Sequence, residues 1–426
     1  MISTATLPAT PLAETDRAEL LDSLRGFALF GVCLANIFSN FSFWGEAGAP
    51  PVGQLPTAAT DPAAAFLIKA LIDGKFYSLF SLLFGVGFAI QLQRATARGD
   101  NQLGAYRRRL WVLLGIGLVH LLTIWLGDIL AFYALVGFLL VRLRHLSDRA
   151  IFRWAVGLLL VPVLGWGVYW LGGGMHAKVP FTPASPFYFV GMALDKQYGT
   201  DATYAAFTSA SWAVHFKALR AGIFLRTAYL LFEWRLCKVL AMFLLGLWIG
   251  RHQVFHHLEA YRPLLRRVAA VGLSLGLAAG LLNAALPLDE AYREGQTPGV
   301  VHVVLYALGV GPLALGYAAS FGLLWQRPAW QRVLRQLAPL GRMALSAYLG
   351  QSLISIFLFS GRGLGWAGHV GPTLHWLLAL AIIVGQLLLS RWWLLHFQFG
   401  PMEWLWRSLS YGHRQPLRRR APLAVA

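Results

Sequence analysis

The chain alternates long apolar runs with short polar joints, and the joints collect most of its basic residues. The first run starts at Leu20 and continues past Asn36. A second covers about 63–93, interrupted at Asp73-Gly74-Lys75, and further runs cover about 110–126, 129–141 and the stretch ending near 171. After a long mixed segment the pattern resumes at about 225–250, 268–286, 300–325, 343–359 and 374–395. A bilayer-spanning helix needs about 20 consecutive apolar residues. The pattern therefore predicts an all-α, polytopic transmembrane bundle of about ten helices.

The joints orient it. Arg107-Arg108-Arg109, Arg142 and Arg144, Arg251 with Arg262, Arg266 and Arg267, then Arg327 to Arg342, and finally Arg414 to Arg420 follow the second, fourth, sixth, eighth and tenth runs. The intervening joints are poor in Lys and Arg, so the positive-inside rule puts both termini in the cytoplasm. On this reading 1–19 is a cytoplasmic tail and 20–171 a five-helix membrane region. Residues 172–224 form a long outer-side loop, a lid or an interfacial helix. A second five-helix region (225–413) and a basic cytoplasmic tail (414–426) complete the chain.

Composition agrees with a membrane class: 57% of residues are hydrophobic and only 13% charged, with a mean hydropathy of +0.58. A formal net charge of +18 would suggest nucleic acid in a soluble protein. Here the bases punctuate apolar runs, no nucleic-acid module accompanies them, and the expected partner is the lipid bilayer. The two cysteines, Cys33 and Cys237, fall inside apolar runs and read as small buried hydrophobes. No metal motif, phosphate loop, nucleophile elbow or dinucleotide fingerprint stands in its required context, so no metal and no tightly bound cofactor is expected.

Polar residues inside apolar runs are costly, so each is a candidate site. Asp22 and Arg25, an i,i+3 pair on one helix face, fall at the inner level with Arg342 and Glu403. Asn36, about 16 Å beyond Arg25 at 1.5 Å per residue, falls at the outer level with Lys75, His120, Asp128, Tyr133, His302 and Gln351. Each also has a structural reading. Asp22 caps a helix and Arg25 snorkels to phosphate; Lys75 pairs with Asp73; His120 bridges helices; Asp128 caps the helix it precedes; His302 is interfacial. Two polar levels in one bundle indicate a conduit or a site fed from both sides.

Several of these residues lie in motifs that resemble a known family. Leu21-Asp22-Ser23-Leu24-Arg25-Gly26-Phe27-Ala28 with Asn36, Lys75-Phe76-Tyr77 leading to Leu83-Phe84-Gly85-Val86-Gly87-Phe88, and Gly127-Asp128-Ile129-Leu130 with Tyr133 resemble the N-terminal half of YeiB-like bacterial inner-membrane proteins. Gly341-Arg342-Met343-Ala344-Leu345-Ser346-Ala347-Tyr348 with Gln351-Ser352, and Phe399-Gly400-Pro401-Met402-Glu403-Trp404, resemble the family's domain of unknown function 418. More distantly, the Leu-Asp-x-x-Arg-Gly opening is similar to that of membrane acyltransferases that include heparan-alpha-glucosaminide N-acetyltransferase.

That second resemblance implies an acyl donor such as acetyl-CoA or another acyl-CoA on the cytoplasmic side and an envelope sugar or lipid acceptor outside. Arg25 and Arg342 would pair with the donor's phosphates, and His120 or His302 would serve as the general base on the acceptor, with Asp128 a further catalytic candidate. Where some related acyltransferases carry a histidine on the first helix, this chain has Asn36, and their catalytic histidine has no matching position. The other reading is a transporter or export component for an anionic or zwitterionic solute, with Lys75, His120, Asp128 and Glu403 along its path. Broken helices in corresponding halves would favour it, and only the interruption at Asp73-Gly74-Lys75 is visible. A cytoplasm-active reporter fused after Tyr411 is expected to be active; activity only of a reporter that works outside the cell would reverse the orientation.

Overall fold

The computed structural model describes residues 14–46, 48–97, 103–171, 202–287 and 298–419. The tail ahead of residue 14, residues 172–201 of the long loop, the 288–297 joint and the end of the basic tail lie outside the described residues. The described chain is helical throughout apart from turns and one isolated bridge, Phe397 with Arg418. In lipid every backbone donor and acceptor needs a partner within the protein, and a helix supplies them along its own length.

The first half comprises α1 (Glu14–Asn36, extended by a π-helical turn Ile37–Phe41), α2 (Asp61–Leu67, extended by a π-helical turn Ile68–Ile72), α3 (Lys75–Ala97), α4 (Leu103–Thr123), α5 (Leu130–Leu143) and α6 (Asp148–Leu171). Two helices follow the loop, α7 (Ala202–Thr208) and α8 (Trp212–Phe232). The second half contains α9 (Arg235–Arg251), α10 (Arg262–Ala285), α11 (Pro298–Trp325), the short α12 (Pro328–Leu334) and α13 (Ala338–Arg342), α14 (Ala344–Phe359), α15 (Pro372–His396) and α16 (Pro401–Tyr411).

Six helical stretches among the described residues are long and apolar enough to cross a membrane, or seven if the bent pair Pro328–Arg342 and Ala344–Phe359, meeting at 76°, counts as one span. The expected ten are thus not all met at full length. At 1.5 Å per residue, α5 with 14 residues rises about 21 Å and α9 with 17 about 26 Å, each short of the roughly 30 Å hydrocarbon layer. The run at 225–250 proves to be two pieces, because α8 continues to Phe232 and Glu233-Trp234 breaks it from α9; the 224/225 boundary falls inside α8. Asp22 lies well inside α1 and caps nothing.

Glycine contacts set the spacing of the helices. A methyl on Gly85 of α3 would stand 2.1 Å from the Phe243 carbonyl oxygen of α9 and 3.0 Å from Gly246 Cα. Gly250 likewise faces Ala89 and Val86, so residue numbers rise together along the seam and the two helices run parallel. Gly272 meets Gly316 where α10 packs on α11, and Gly341 of α13 sits against the Asp22 carbonyl of α1. Such small residues let backbones approach where lipid gives helices no hydrophobic reason to associate. α1 is central, with Leu20, Leu24, Leu29 and Leu34 wholly buried, whereas Leu164 and Val168 of α6 and Leu377, Leu380 and Leu388 of α15 lie exposed, as lipid-facing residues do.

The base-rich joints share one end. There Arg251 donates to the Leu146 carbonyl at 2.7 Å and also to that of Arg144, His252 meets Asp148 at 2.7 Å, and Arg335 pairs with Glu19 at 2.9 Å. At the opposite end Asp61 accepts from the Thr373 amide at 2.9 Å, and Arg362 donates to the Ser209 carbonyl at 3.0 Å. Replacing Gly246 by Leu is expected to force α3 and α9 apart and to lower the thermal unfolding midpoint in detergent by several degrees. Gly115→Ala, where a Cβ meets nothing within 4 Å among the described residues, should leave the midpoint equal or higher. Equal midpoints for Gly246→Leu and the unaltered protein would refute the seam.

Candidate functional site

A cavity of about 1710 Å³ runs inside the bundle, larger than the roughly 300–1,000 Å³ of an ordinary small-molecule pocket. Its wall includes Arg25, Arg342 and Arg407 at the arginine-rich end, and Tyr77, Arg226, Lys238 and Tyr306 along its length. Trp44, Tyr204 and His215 belong to it at the opposite end. One space therefore reaches residues of both ends.

At the arginine-rich end Arg25 Nη1 donates to Asp22 Oδ1 at 2.7 Å, with the two side chains 33% and 18% exposed. Both line the cavity, so the pair is partly open to it. Arg342 occupies the elbow between α13 and α14, is exposed and also lines it. Glu403 reaches across from α16: its carboxylate accepts from the Leu345 amide at 2.6 Å, the Ser346 amide at 3.0 Å and the Ser346 hydroxyl at 2.6 Å. The two amides are orphan donors at the start of α14. Glu403 is the cap of the bent helix, and that use occupies both oxygens, although the residue borders the cavity. Burial pushes its carboxyl above the ordinary 4.5, against the pull of these hydrogen bonds.

At the opposite end His120 Nδ1 lies 2.8 Å from Asp128 Oδ2, with side chains 1% and 0% exposed. Eight residues apart, the two are not helix neighbours; α4 ends at Thr123, and the turn through Gly127 folds Asp128 back onto it. The other carboxylate oxygen caps α5, accepting the Ala131 amide at 2.8 Å. When a carboxylate accepts from Nδ1–H, a neutral imidazole carries its lone pair on Nε2. Nε2 is buried without a hydrogen-bond partner among the described residues. The rings of Tyr348 and Trp125, at 5.6 and 6.2 Å, flank the imidazole, and both belong to the cavity wall. His120 and Asp128 stand one layer behind that wall.

The remaining expected residues divide. Asn36, Tyr133 and His302 line the cavity. Tyr133 donates to the Tyr77 carbonyl at 2.7 Å and meets the Ser81 hydroxyl at 2.8 Å, while His302 stacks on Tyr306 with ring centroids 5.8 Å apart. Lys75 is buried and donates to the Lys69 carbonyl at 2.7 Å. It closes the end of the π-helical turn, and the ion pair with Asp73 is not what holds it. Gln351 donates to Gln386 at 3.0 Å, which in turn donates to the Ala347 carbonyl at 2.9 Å. It joins α14 to α15 and forms no part of the cavity wall.

The sequence reading passed over a second polar group. Glu233 and Arg235 are ion-paired beside the break. The Arg235 guanidinium lies 4.3 Å from the Tyr77 ring centroid, and the Lys238 ammonium 4.5 Å from that of Tyr306. With Arg226 and Asp73 they all face the cavity. The available signal was three charges within six residues of an apolar run. No group of three or more His, Cys, Asp or Glu able to hold a metal occurs among the described residues.

Comparison with known proteins adds relatives. Residues 249–413 match the family described as protein of unknown function DUF418. Over 432 residues the chain is 29% identical to the uncharacterized protein YxaH of Bacillus subtilis (strain 168), covering 96% of this chain and 98% of that one. It is 30% identical over 415 residues to the uncharacterized protein YeiB of Escherichia coli (strain K12), covering 93% of this chain and 96% of the other. No solved structure matches.

Removing the cap by Glu403→Ala is expected to cost about 1–2 kcal/mol, read as a lower unfolding midpoint. Because the folded carboxyl is raised from 4.5, the ionisable residue contributes most stability below 4.5 and loses it as pH rises through the raised value. Stability relative to Glu403→Gln should therefore decline from acid towards neutral pH. A rise over that range would refute the burial of the carboxyl.

Proposed function

The chain belongs to the YeiB-like family of integral membrane proteins, and we propose that it is a membrane-bound acyltransferase moving an acyl group from an acyl-CoA to an envelope sugar or lipid. The observation that carries this reading is the buried His120–Asp128 pair with its unpartnered Nε2. Asp128 holds the imidazole in the tautomer that a general base needs and stabilises the imidazolium once it forms. The acceptor's hydroxyl or amine gives its proton to Nε2 as its heteroatom attacks the thioester carbonyl. The tetrahedral intermediate then expels CoA thiolate, which takes the proton back from the imidazolium.

The donor's phosphates suit the arginine-rich end, where Arg342 and Arg25 line the cavity. With that end cytoplasmic, as the positive-inside rule has it, the acyl arm extends along the cavity towards the layer of Trp125 and Tyr348. Those two rings must part for Nε2 to reach an acceptor. The bundle sits in the cytoplasmic membrane, with no resident cofactor beyond the donor.

Transport is the second reading, favoured by the break at Glu233-Trp234. It is the counterpart, missing from the sequence pattern, of the interruption at Asp73-Gly74, and discontinuous helices are a mark of transporter sites. Purified protein incubated with labelled acetyl-CoA and envelope extract separates the two. The expected result is label transfer, reduced at least 100-fold in His120→Ala and retained within a few-fold in His302→Ala. No CoA binding and no CoA release with any extract would end the acyltransferase reading, and loss in His302→Ala alone would move the base to α11.

A further inference from the structure

Two helices begin side by side on the cavity. α3 starts at Lys75 after Gly74, whose φ is +77°, and α9 starts at Arg235 after Trp234, whose φ is +52°. Because α3 and α9 are parallel and in step through Gly85 and Gly246, their N-terminal ends open at the same level. At a helix start the first backbone N–H groups have no intrahelical acceptor and the dipole leaves about half a positive charge; at α9 the Cys237 amide already turns back to the Trp234 carbonyl at 3.0 Å.

Helix ends alone do not make a site, but the side chains around these point the same way. Arg226, Arg235 and Lys238 bring three positive charges to the wall against two negative ones, Glu233 and Asp73. Lys238 and Arg235 rest on the faces of Tyr306 and Tyr77. An aromatic face holds a cation without neutralising it, so Lys238 keeps its charge available to a ligand. The Nε atoms of Arg226 and Arg235 are buried with no hydrogen-bond partner among the described residues. A buried donor without an acceptor is destabilising, and a bound anion would relieve it. Trp234, a bulky residue in the left-handed region that only glycine adopts without strain, lies against Gly165, where a methyl would come within 2.5 Å of its indole. The break is thus built into the packing.

We infer that the paired starts of α3 and α9, with Arg226, Arg235 and Lys238, form a binding site for a phosphate group of the molecule that occupies the cavity. Two helix starts and three cationic side chains line this stretch of the cavity, and the local surplus of positive charge matches a phosphate. This site is distinct from the Arg25 and Arg342 end proposed for the acyl donor, and it holds under either reading of the function. A lipid phosphate and a soluble one offer the same group to it.

The test is phosphate binding by the purified full chain in neutral detergent, with no acyl donor present. Stabilisation of the unfolding midpoint is titrated with inorganic phosphate and, separately, with a short-chain phosphatidic acid, with sodium chloride at matched ionic strength as reference. Saturable stabilisation by either is expected, and whichever stabilises at the lower concentration identifies the source. Lys238→Met and Arg226→Gln should each raise the apparent dissociation constant at least tenfold, Lys238→Arg should restore most of it, and Arg266→Gln, on the outer surface of α10, should not change it. Should Lys238→Met fail to fold, Arg226→Gln and Lys238→Arg still decide.

Stabilisation no greater than with chloride overturns the inference. So does binding that survives both Lys238→Met and Arg226→Gln but is lost in Arg342→Gln, since the phosphate then sits at the arginine-rich end. Loss of acyl transfer in His120→Ala leaves this measurement untouched, so the two proposals fail separately.

Discussion

Backbone meets backbone where Gly85 of α3 lies against Gly246 of α9, and much of the interior follows from that contact. With no side chain between them, the helices approach until a methyl on Gly85 would stand 2.1 Å from the Phe243 carbonyl oxygen and one on Gly246 2.1 Å from that of Leu82. Being parallel and in step, they bring the breaks at Asp73-Gly74 and Glu233-Trp234 to one level. Tyr77 of α3 and Arg235 of α9 are then close enough to stack. Tyr133 of α5 is tied to the same level by its bond to the Tyr77 carbonyl. A helix pair spaced by leucines would separate these groups by several ångströms and remove the shared wall.

Charge inside a bilayer is expensive, and the structure meets the cost in different ways at different residues. Lys75 is held by a backbone carbonyl and is removed from the cavity. Glu403 is consumed as a helix cap. Asp128 divides its oxygens between a histidine and the start of α5. In these residues the polar group is accounted for by the fold itself, although His120 retains one nitrogen that is not. Arg226, Arg235 and Lys238 differ: their contacts are aromatic faces, one carboxylate and the cavity itself. The groups whose hydrogen-bonding capacity exceeds what the fold uses are where an incoming ligand gains most.

The bundle was legible in the sequence because apolar runs and arginine-rich joints are local signals, and the base-rich joints do gather at one end. The site was legible residue by residue but not as geometry. His120 and Asp128 both stood out, yet their pairing depends on a turn that no periodicity encodes. Gln351 looked like a site residue because its partner, Gln386, lies on another helix. The break at Asp73-Gly74 was visible through its glycine. The one at Glu233-Trp234 was not, because tryptophan continues an apolar run and only packing against Gly165 reveals that the chain turns there. The short α5 and α9 escaped notice for a related reason: hydropathy marks where a run is apolar, not where the helix within it starts.

α8 links these observations mechanically. It supplies His215 and Arg226 to the cavity wall, and its C-terminal end is the break from which α9 begins. Its start is anchored to the joint between α14 and α15, where Arg362 donates to the Ser209 carbonyl and Gly361 leaves no room for a side chain beside Thr208. Arg226 therefore reaches the wall from one side of the break at Glu233-Trp234 and Lys238 from the other. An anion bound by both would tie α8 to α9 across that break, and its binding free energy would add to the packing that holds the two helices together.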